Sequence, residues 1–152
     1  MPQVQIQKMQ DSDRLELLLY FIDKIKNIDT YSKLYSILYL INSETGIFSD
    51  YHFNSKFLTY KDNILDNDLK ILWLQDYIKN RESKIDEITP IELAHKHIIS
   101  ISDEGERHLN LFDIEKKLKK KFGSSIDIDK MVKLSIMYNK KSNNELVSLI
   151  NK

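Results

Sequence analysis

The sequence predicts a mainly α-helical domain with a small β-hairpin. Three observations lead to this fold class. Several stretches repeat their apolar residues at helical spacing, the short stretch "KHIISIS" (residues 96–102) alternates in twos, and the helical period returns at Ser102. At 152 residues the chain can build one domain with a real core and is too short for two of ordinary size, so residues 1–152 are expected to form a single domain.

Composition excludes several classes of protein. The longest apolar run, residues 17–22, cannot cross a bilayer, and the amino terminus lacks the pattern of a secretion signal. We therefore expect a cytoplasmic protein with no membrane partner. The absence of cysteine excludes disulfides and thiolate metal sites. With 23 basic and 23 acidic residues, the net charge is zero, so no overall field attracts the chain to nucleic acid.

Three helices are predicted in the first half of the chain. Residues 11–28 form the first, with Asp11, Ser12 or Asp13 as its cap. The second covers residues 31–44 and ends before Gly46. A short loop and an extended piece, together residues 47–57, then lead to a third helix over residues 64–80, capped by residue 62 or 63.

The second half begins with the predicted hairpin. Its arms are "KIDEI" (residues 84–88) and "KHIISIS", with Pro90 in the turn region. One long helix is expected from Ser102 to Gly123, with acidic residues in its first turns and lysines at its far end, as the helix dipole favours. Two shorter helices follow, at residues 129–138 and from the capping box Ser142–Glu145 through residue 150.

The order helix, helix, extended piece, helix, hairpin, helix is that of a winged helix-turn-helix domain with additional N- and C-terminal helices. Residues 30–102 would form its helix-helix-wing core and residues 103–152 its C-terminal helices. The stretch "HIISISDEGERHL" (residues 97–109) resembles the end of the wing in repressors of the PadR and MarR types. In this reading Ser102 caps the new helix, Asp103 and Glu104 meet its positive end, and Gly105 permits tight packing.

A second resemblance covers roughly residues 30–150. "TYSKLYSILYLINSETG", Phe53, "NDLKILWLQDYI" and "MVKLSIMYNKKSNNELVSLI" are similar to segments of small winged-helix proteins of archaea and bacteria, including regions akin to the Panacea antitoxin domain. The chain departs from that pattern before the third helix. It has "FLTYKDN" (residues 57–63), which lacks the Gly and Pro of the Tyr-Gly-Pro-Tyr-Ser motif found there.

The resemblance implies that the third helix enters the major groove of DNA and that the wing reaches phosphate or the minor groove. Asn can pair with adenine and Lys can reach guanine or phosphate. Acidic residues 62, 66 and 68 lie among the candidates; they would each face the polyanion unless they serve only to cap the helix. The candidate DNA-binding residues are Lys56, Lys61, Asn63, Asn67 and Lys70, with Lys84, His95 and Lys96 from the wing.

Other features favour structural roles. The lysine run at residues 116–121 is interpreted as a solvated helix end in preference to a phosphate site, with Leu111, Ile114, Leu118 and Phe122 on its opposite face. His95 and His97 share one side of a strand but have no third ligand at a fixed spacing, so neither a metal nor another cofactor is expected. No nucleophile elbow, phosphate loop or metalloprotease motif is present, so no enzymatic activity is expected.

The first helix also predicts an oligomer. Residues 17–22 are apolar in six successive positions and need burial all round. We expect a homodimer, built from the first helix and the long helix after the wing. The leading hypothesis is a DNA-binding transcriptional regulator acting as this dimer. The alternative is a winged-helix protein-interaction module, such as an antitoxin-like, viral or replication-associated adaptor, which zero net charge and an acidic third helix would favour.

Overall fold

A computed structural model describes residues 11–28, 31–51, 53, 63–80, 99–123 and 127–150. These residues form a mainly helical fold with a small three-stranded antiparallel sheet, which confirms the coarse prediction. The elements, in chain order, are α1 (Asp11–Ile25), β1 (Asn27–Ile28), α2 (Tyr31–Thr45), α3 (Asn63–Leu74), β2 (Ile78–Asn80), β3 (Ile99–Ile101), α4 (Asp103–Leu111), α5 (Ile114–Phe122), α6 (Ile128–Asn139) and α7 (Asn143–Ile150).

The sheet has the strand order β1-β3-β2, so the last strand in sequence lies in the middle. Ser100 of β3 is opposite Asn27 on one side and Lys79 on the other, and both pairs of strands are antiparallel. The two-residue rhythm that ends at Ile101 is therefore confirmed as a strand. The predicted first arm of the hairpin, residues 84–88, lies outside the described residues.

The third helix is shorter than predicted, and its last residues form β2. α3 ends at Leu74 because Asp76 adopts a left-handed conformation, with φ of 64°. The amide of Tyr77 then donates to the carbonyl of Leu72 at 2.8 Å, and the amide of Asp76 to that of Trp73 at 3.0 Å. This pair of bonds is a Schellman motif, which ends a helix. The prediction of helix through Asn80 is wrong.

The first helix also ends earlier than predicted. Lys26 has a φ of 72°, α1 stops at Ile25, and Ile28 becomes part of β1. Residues 47–51, at the start of the stretch predicted as a short loop and an extended piece, form a turn in which the amide of Tyr51 donates to the carbonyl of Phe48 at 3.0 Å. The second helix itself is confirmed, and it ends just before Gly46, whose φ is 72°.

The long helix predicted after the strand is two helices. Asp113 has a φ of 46° and separates α4 from α5, each nine residues long. The break turns Ile114 and Leu118 into the core while Leu111 stays 73% exposed. Leu111 therefore does not belong to the apolar face predicted for this region, although Ile114 and Leu118 do.

Helix α1 lies at the centre of the fold. All six residues from Leu17 to Ile22 are buried, because the helix contacts the sheet and the helices α3, α4, α5 and α6. A single chain thus covers the full circumference of α1. The premise that a second copy must cover one side of residues 17–22 is therefore wrong, while the dimer itself stays a prediction.

Several predicted caps are confirmed. The Ser102 hydroxyl accepts from the Gly105 amide at 3.0 Å, and Ser142 and Glu145 form the reciprocal bonds of a capping box. Gly105 also packs as expected, since an added Cβ would lie 2.2 Å from the carbonyl oxygen of Tyr77. Among the described residues, no helix has the length and apolar character needed to cross a membrane.

Candidate nucleic-acid interface

Helix α3 has one buried face and one exposed face. Leu65, Leu69, Leu72 and Trp73 pack into the core. On the opposite side, Asn67, Lys70 and Leu74 are exposed at positions i, i+3 and i+7, so they form one stripe along the helix. This stripe offers an amide, an ammonium group and an apolar side chain to a partner.

One of the two acidic residues within α3 points inward. Asp68 is fully buried and accepts two hydrogen bonds from the Arg14 guanidinium of α1, from Nε at 2.7 Å and from Nη2 at 2.9 Å. The hydroxyl of Tyr51 donates to the same carboxylate at 2.7 Å. The expectation that Asp68 would face a polyanion is therefore wrong, because the interior neutralises this charge.

Arg14 holds a wider cluster, which we call the Arg14 clamp: Arg14, Asp68, Tyr51, Asp11 and Asp50. Its Nη1 donates to Asp11 at 2.9 Å and lies 3.9 Å from the Asp50 carboxylate. The bidentate hydrogen bonds to Asp68 raise the pKa of Arg14 above its usual value, against the opposing effect of burial. The clamp fixes the rotation of α3 on α1, and with it the direction of the exposed stripe.

Of the predicted DNA-binding residues, two can be located by their side chains. Asn67 and Lys70 lie together on the exposed stripe of α3. Asn63 begins the helix, but its side chain is not among those described. The other five candidates lie outside the described residues: Lys56, Lys61, Lys84, His95 and Lys96.

The lysine run on α5 is largely engaged by carboxylates. Lys117 binds Glu16 and Lys121 binds Asp13, each at 2.6 Å, and both acids belong to α1. Lys119 lies 3.0 Å from Asp129 of α6. The hydrogen bond to Glu16 raises the pKa of Lys117, so this ammonium group stays charged and paired. These three lysines support the structural interpretation of the run.

A second polar cluster borders a cleft of about 450 Å³ between α1, the end of α3 and the helices α4 and α5. His108 stacks on Tyr77, with ring centroids 4.7 Å apart, and lies 5.0 Å from the ring of Phe112. Its Nε2 is 3.5 Å from Glu16, the carboxylate that also binds Lys117. The histidine therefore packs against two aromatic rings beside the Glu16 carboxylate.

The described residues contain no group of three or more His, Asp or Glu side chains that could hold a metal ion. The pair His95 and His97 lies outside them. Sequence reasoning missed the Arg14 clamp, because Arg14 and Asp68 are 54 positions apart and no local pattern links them. The one available signal was an arginine within an otherwise apolar helix face.

Comparison with known proteins gives no relative: no protein-family model matches the chain, and neither a curated protein nor a solved structure matches it. The likeness to PadR, MarR and Panacea-type proteins therefore depends on the sequence motifs alone.

Proposed function

We propose that this chain is a winged helix-turn-helix protein that binds double-stranded DNA through the exposed stripe of α3, as a transcriptional regulator does. One observation carries the proposal: the stripe of Asn67, Lys70 and Leu74 faces outward while Asp68 of the same helix is neutralised inside by Arg14.

The arrangement of elements supports the winged-helix part of the proposal. The order α1, β1, α2, α3, β2, β3, with β3 between the other two strands, is compatible with three helices backed by a small sheet. In such a domain the third helix is the one that enters the major groove. The predicted wing falls between β2 and β3, on residues outside the described part of the chain.

The chemistry of the stripe supports the DNA part. An asparagine can form two hydrogen bonds with adenine, a lysine can reach guanine or a phosphate, and a leucine can contact a thymine methyl group. Residue 67 lies one turn before residue 70 and two turns before residue 74, which is the spacing for reading successive positions along a groove.

The proposal is tested by fluorescence anisotropy with a labelled duplex of random sequence, at low and at physiological salt. We expect a dissociation constant of about 10⁻⁶ to 10⁻⁴ M. Binding should weaken steeply as salt rises, because it releases counterions from the phosphates. Replacing Asn67 and Lys70 together by Ala should weaken binding about tenfold or more.

A matched control is Lys133→Gln with Ser148→Ala, which removes a lysine and a polar side chain from exposed positions on α6 and α7. This variant should bind DNA as the wild type does. Equal affinities for all three proteins would overturn the role of α3, and no salt-sensitive binding by the wild type would overturn the DNA proposal itself.

A second function is favoured by Leu74, which is 65% exposed on the same stripe. An exposed apolar residue beside a neutral overall charge suits a protein partner, so α3 could serve a protein-interaction module with no catalytic activity. The two functions differ in Leu74→Ser: a protein partner would lose affinity strongly, while non-specific DNA binding would change little.

A further inference from the structure

The corner between α4 and α5 exposes two large apolar side chains. Leu111 is 73% exposed and Phe112 60%, although Leu109 before them and Ile114 after them are buried. The left-handed Asp113 directs the chain so that this pair projects from the surface. Phe112 also forms one wall of the 450 Å³ cleft, whose floor includes Leu15, Leu19 and Leu72. The corner is thus continuous with a cleft that is partly apolar.

The two helices on either side of the corner carry opposite charges. On α4, Asp103 and Glu106 are exposed and form no ion pair with any described residue, while Glu104 binds Arg107. On α5, Lys116 and Lys120 are exposed and likewise unpaired within the described part of the chain, while the other three lysines are engaged. What remains is one acidic arm and one basic arm.

The arms match in length, and on each the two charges unpaired within the described residues lie about one helical turn apart. Each helix has nine residues, or about 13 Å at 1.5 Å per residue. Glu106 lies six residues before Phe112 and Asp103 nine before it, whereas Lys116 lies four residues after Phe112 and Lys120 eight after it. Lys116 and Lys120 are one turn apart and point away from the buried Ile114 and Leu118.

We propose that this corner binds a second copy of the same chain about a two-fold axis, with α4 of each copy beside α5 of the other. Such an axis brings the two Leu111–Phe112 pairs together at the centre. It also places Asp103 and Glu106 of one copy opposite Lys120 and Lys116 of its partner, twice in each dimer. A two-fold interface must be complementary to itself, and a corner with an apolar centre and opposite arms has that property.

The same charges disfavour other occupants. DNA or an acidic protein would be attracted by α5 but repelled by α4, and a basic protein would meet the reverse. A second copy pairs all four charges at once. The helix after the wing was one half of the interface predicted from the sequence, and in its other half, α1, residues 17–22 are already covered within one chain. The inference does not depend on DNA binding.

The first test is sedimentation velocity over a series of protein concentrations up to about 200 µM. The wild type should show a monomer–dimer equilibrium. Replacing Leu111 and Phe112 by Ser should raise the dissociation constant at least about tenfold, because two apolar side chains leave the centre of the interface. The control, Ile136→Ser with Met137→Ser, removes two exposed apolar side chains from α6 and should leave the equilibrium unchanged.

The second test uses charge exchange. A variant with Lys116→Glu and Lys120→Glu has two acidic arms, and a variant with Asp103→Lys and Glu106→Lys has two basic arms. Each alone should be monomeric, and an equimolar mixture of the two should form a heterodimer. Lys130→Glu with Lys133→Glu on α6 makes the same charge change elsewhere and should dimerise as the wild type does. Circular dichroism of each variant verifies the fold.

A wild type that stays monomeric at 200 µM overturns the proposal, as does a dimer that survives the Leu111 and Phe112 substitutions. If either charge variant dimerises alone, or if the mixture forms no heterodimer, the pairing of α4 with α5 of the partner is wrong. DNA association is measured separately by anisotropy, so a chain that dimerises through this corner but ignores DNA contradicts only the proposed function.

Discussion

Helix α1 is joined to two neighbours by ion pairs of nearly equal length but different surroundings. Arg14 reaches Asp68 of α3 at 2.7 Å, and Lys117 and Lys121 of α5 reach Glu16 and Asp13 at 2.6 Å. The Asp68 side chain is fully buried, whereas both lysine side chains are nearly half exposed. The N–O distance alone therefore says little about how much each pair contributes to the free energy of unfolding. Burial of the charged groups decides how much the contributions differ.

The difference has a functional consequence. A bidentate pair inside the core holds α3 in one orientation, so the stripe of Asn67, Lys70 and Leu74 is presented rigidly. Lys117 and Lys121 of α5 each form a single ion pair with α1 and are themselves partly solvated, so we expect these pairs to contribute less to the stability of the fold. The surface that we propose for DNA binding is thus supported by the stronger of the two connections.

The largest expected effect comes from breaking the buried pair. Arg14→Met leaves the Asp68 carboxylate in the core without its main partner, and we expect the free energy of unfolding to fall by about 3–5 kcal/mol. Urea denaturation followed by circular dichroism measures this loss. A loss below about 1 kcal/mol would show that the clamp is solvated and that the contrast with α5 is wrong.

Two further variants sharpen this prediction. Arg14→Met combined with Asp68→Leu removes both charges and should recover much of the lost stability, since a buried pair replaced by apolar residues is often neutral. The control is Arg107→Met, which breaks the exposed pair with Glu104. It should change stability by less than about 1 kcal/mol.

The sequence predicted the helices better than the contacts between them. The second helix and the caps at Ser102 and Ser142 follow from local patterns that act within one turn, and they are confirmed. Strands β1 and β2 were missed because Ile28 and Ile78 continue the helical stripes of the helices before them. Two or three residues are too few to show a period of their own.

Three of the helix ends lie at left-handed residues that are not glycine, so no glycine in the sequence signals them. Lys26, Asp76 and Asp113 all have a positive φ. Residues other than glycine adopt this backbone conformation at a cost in free energy, which the tertiary packing must offset. Of the candidate DNA-binding residues, Asn67 and Lys70 lie on an exposed face, and their role in binding stays a prediction. The inward turn of Asp68 was not predictable, because it depends on Arg14, a residue distant in sequence.

A second prediction concerns Asp13, the most deeply buried of the acids that bind α5. Its side chain is 3% exposed, and Lys121→Gln removes the ammonium group that binds it. We expect a loss of about 1 kcal/mol, because the lysine itself is solvated but the acid is not. Denaturation at neutral pH measures the loss. If the loss in the free energy of unfolding equals that of Arg14→Met, the ion pairs of α5 are as important for stability as the buried pair of α3, and the contrast between them is wrong.

A third prediction uses pH. The Tyr20 hydroxyl donates to Glu115 of α5 at 2.8 Å. Burial, with this hydrogen bond, raises the pKa of Tyr20, and the same bond lowers the pKa of Glu115. The tyrosine contribution is complete below its unfolded pKa of about 10 and is lost as pH rises through the raised value. The Glu115 contribution is present above about 4.3 and is lost as pH falls through the lowered value.

Tyr20→Phe should therefore be less stable than the wild type by about 1 kcal/mol near pH 7, and the gap should narrow at both pH extremes. Urea midpoints from pH 3 to pH 11 provide the measurement. Burial also raises the pKa of Tyr138. Because this residue is present in both proteins, its own pH dependence cancels in the difference between them. A gap that stays constant across this range would contradict the bond between α1 and α5.

The smallest effect is expected for Lys117→Gln. The lysine is 46% exposed and its loss leaves Glu16 beside His108, so stability should change by less than about 1 kcal/mol. The change should shrink further in 1 M salt, where exposed charges are screened. Thermal unfolding at two salt concentrations provides the measurement, and a large, salt-independent loss would mean that this pair is in effect buried.

The most direct measurement of the central claim is a titration of ¹⁵N-labelled protein with an unlabelled duplex, followed by amide chemical shifts. If the outward stripe of α3 is the DNA-binding surface, the largest shifts will fall on residues 67–74, while the amides of Lys116 and Lys120 on α5 will move little. Shifts centred on α5, or none on α3 at saturating duplex, would contradict the assignment of this helix to nucleic acid.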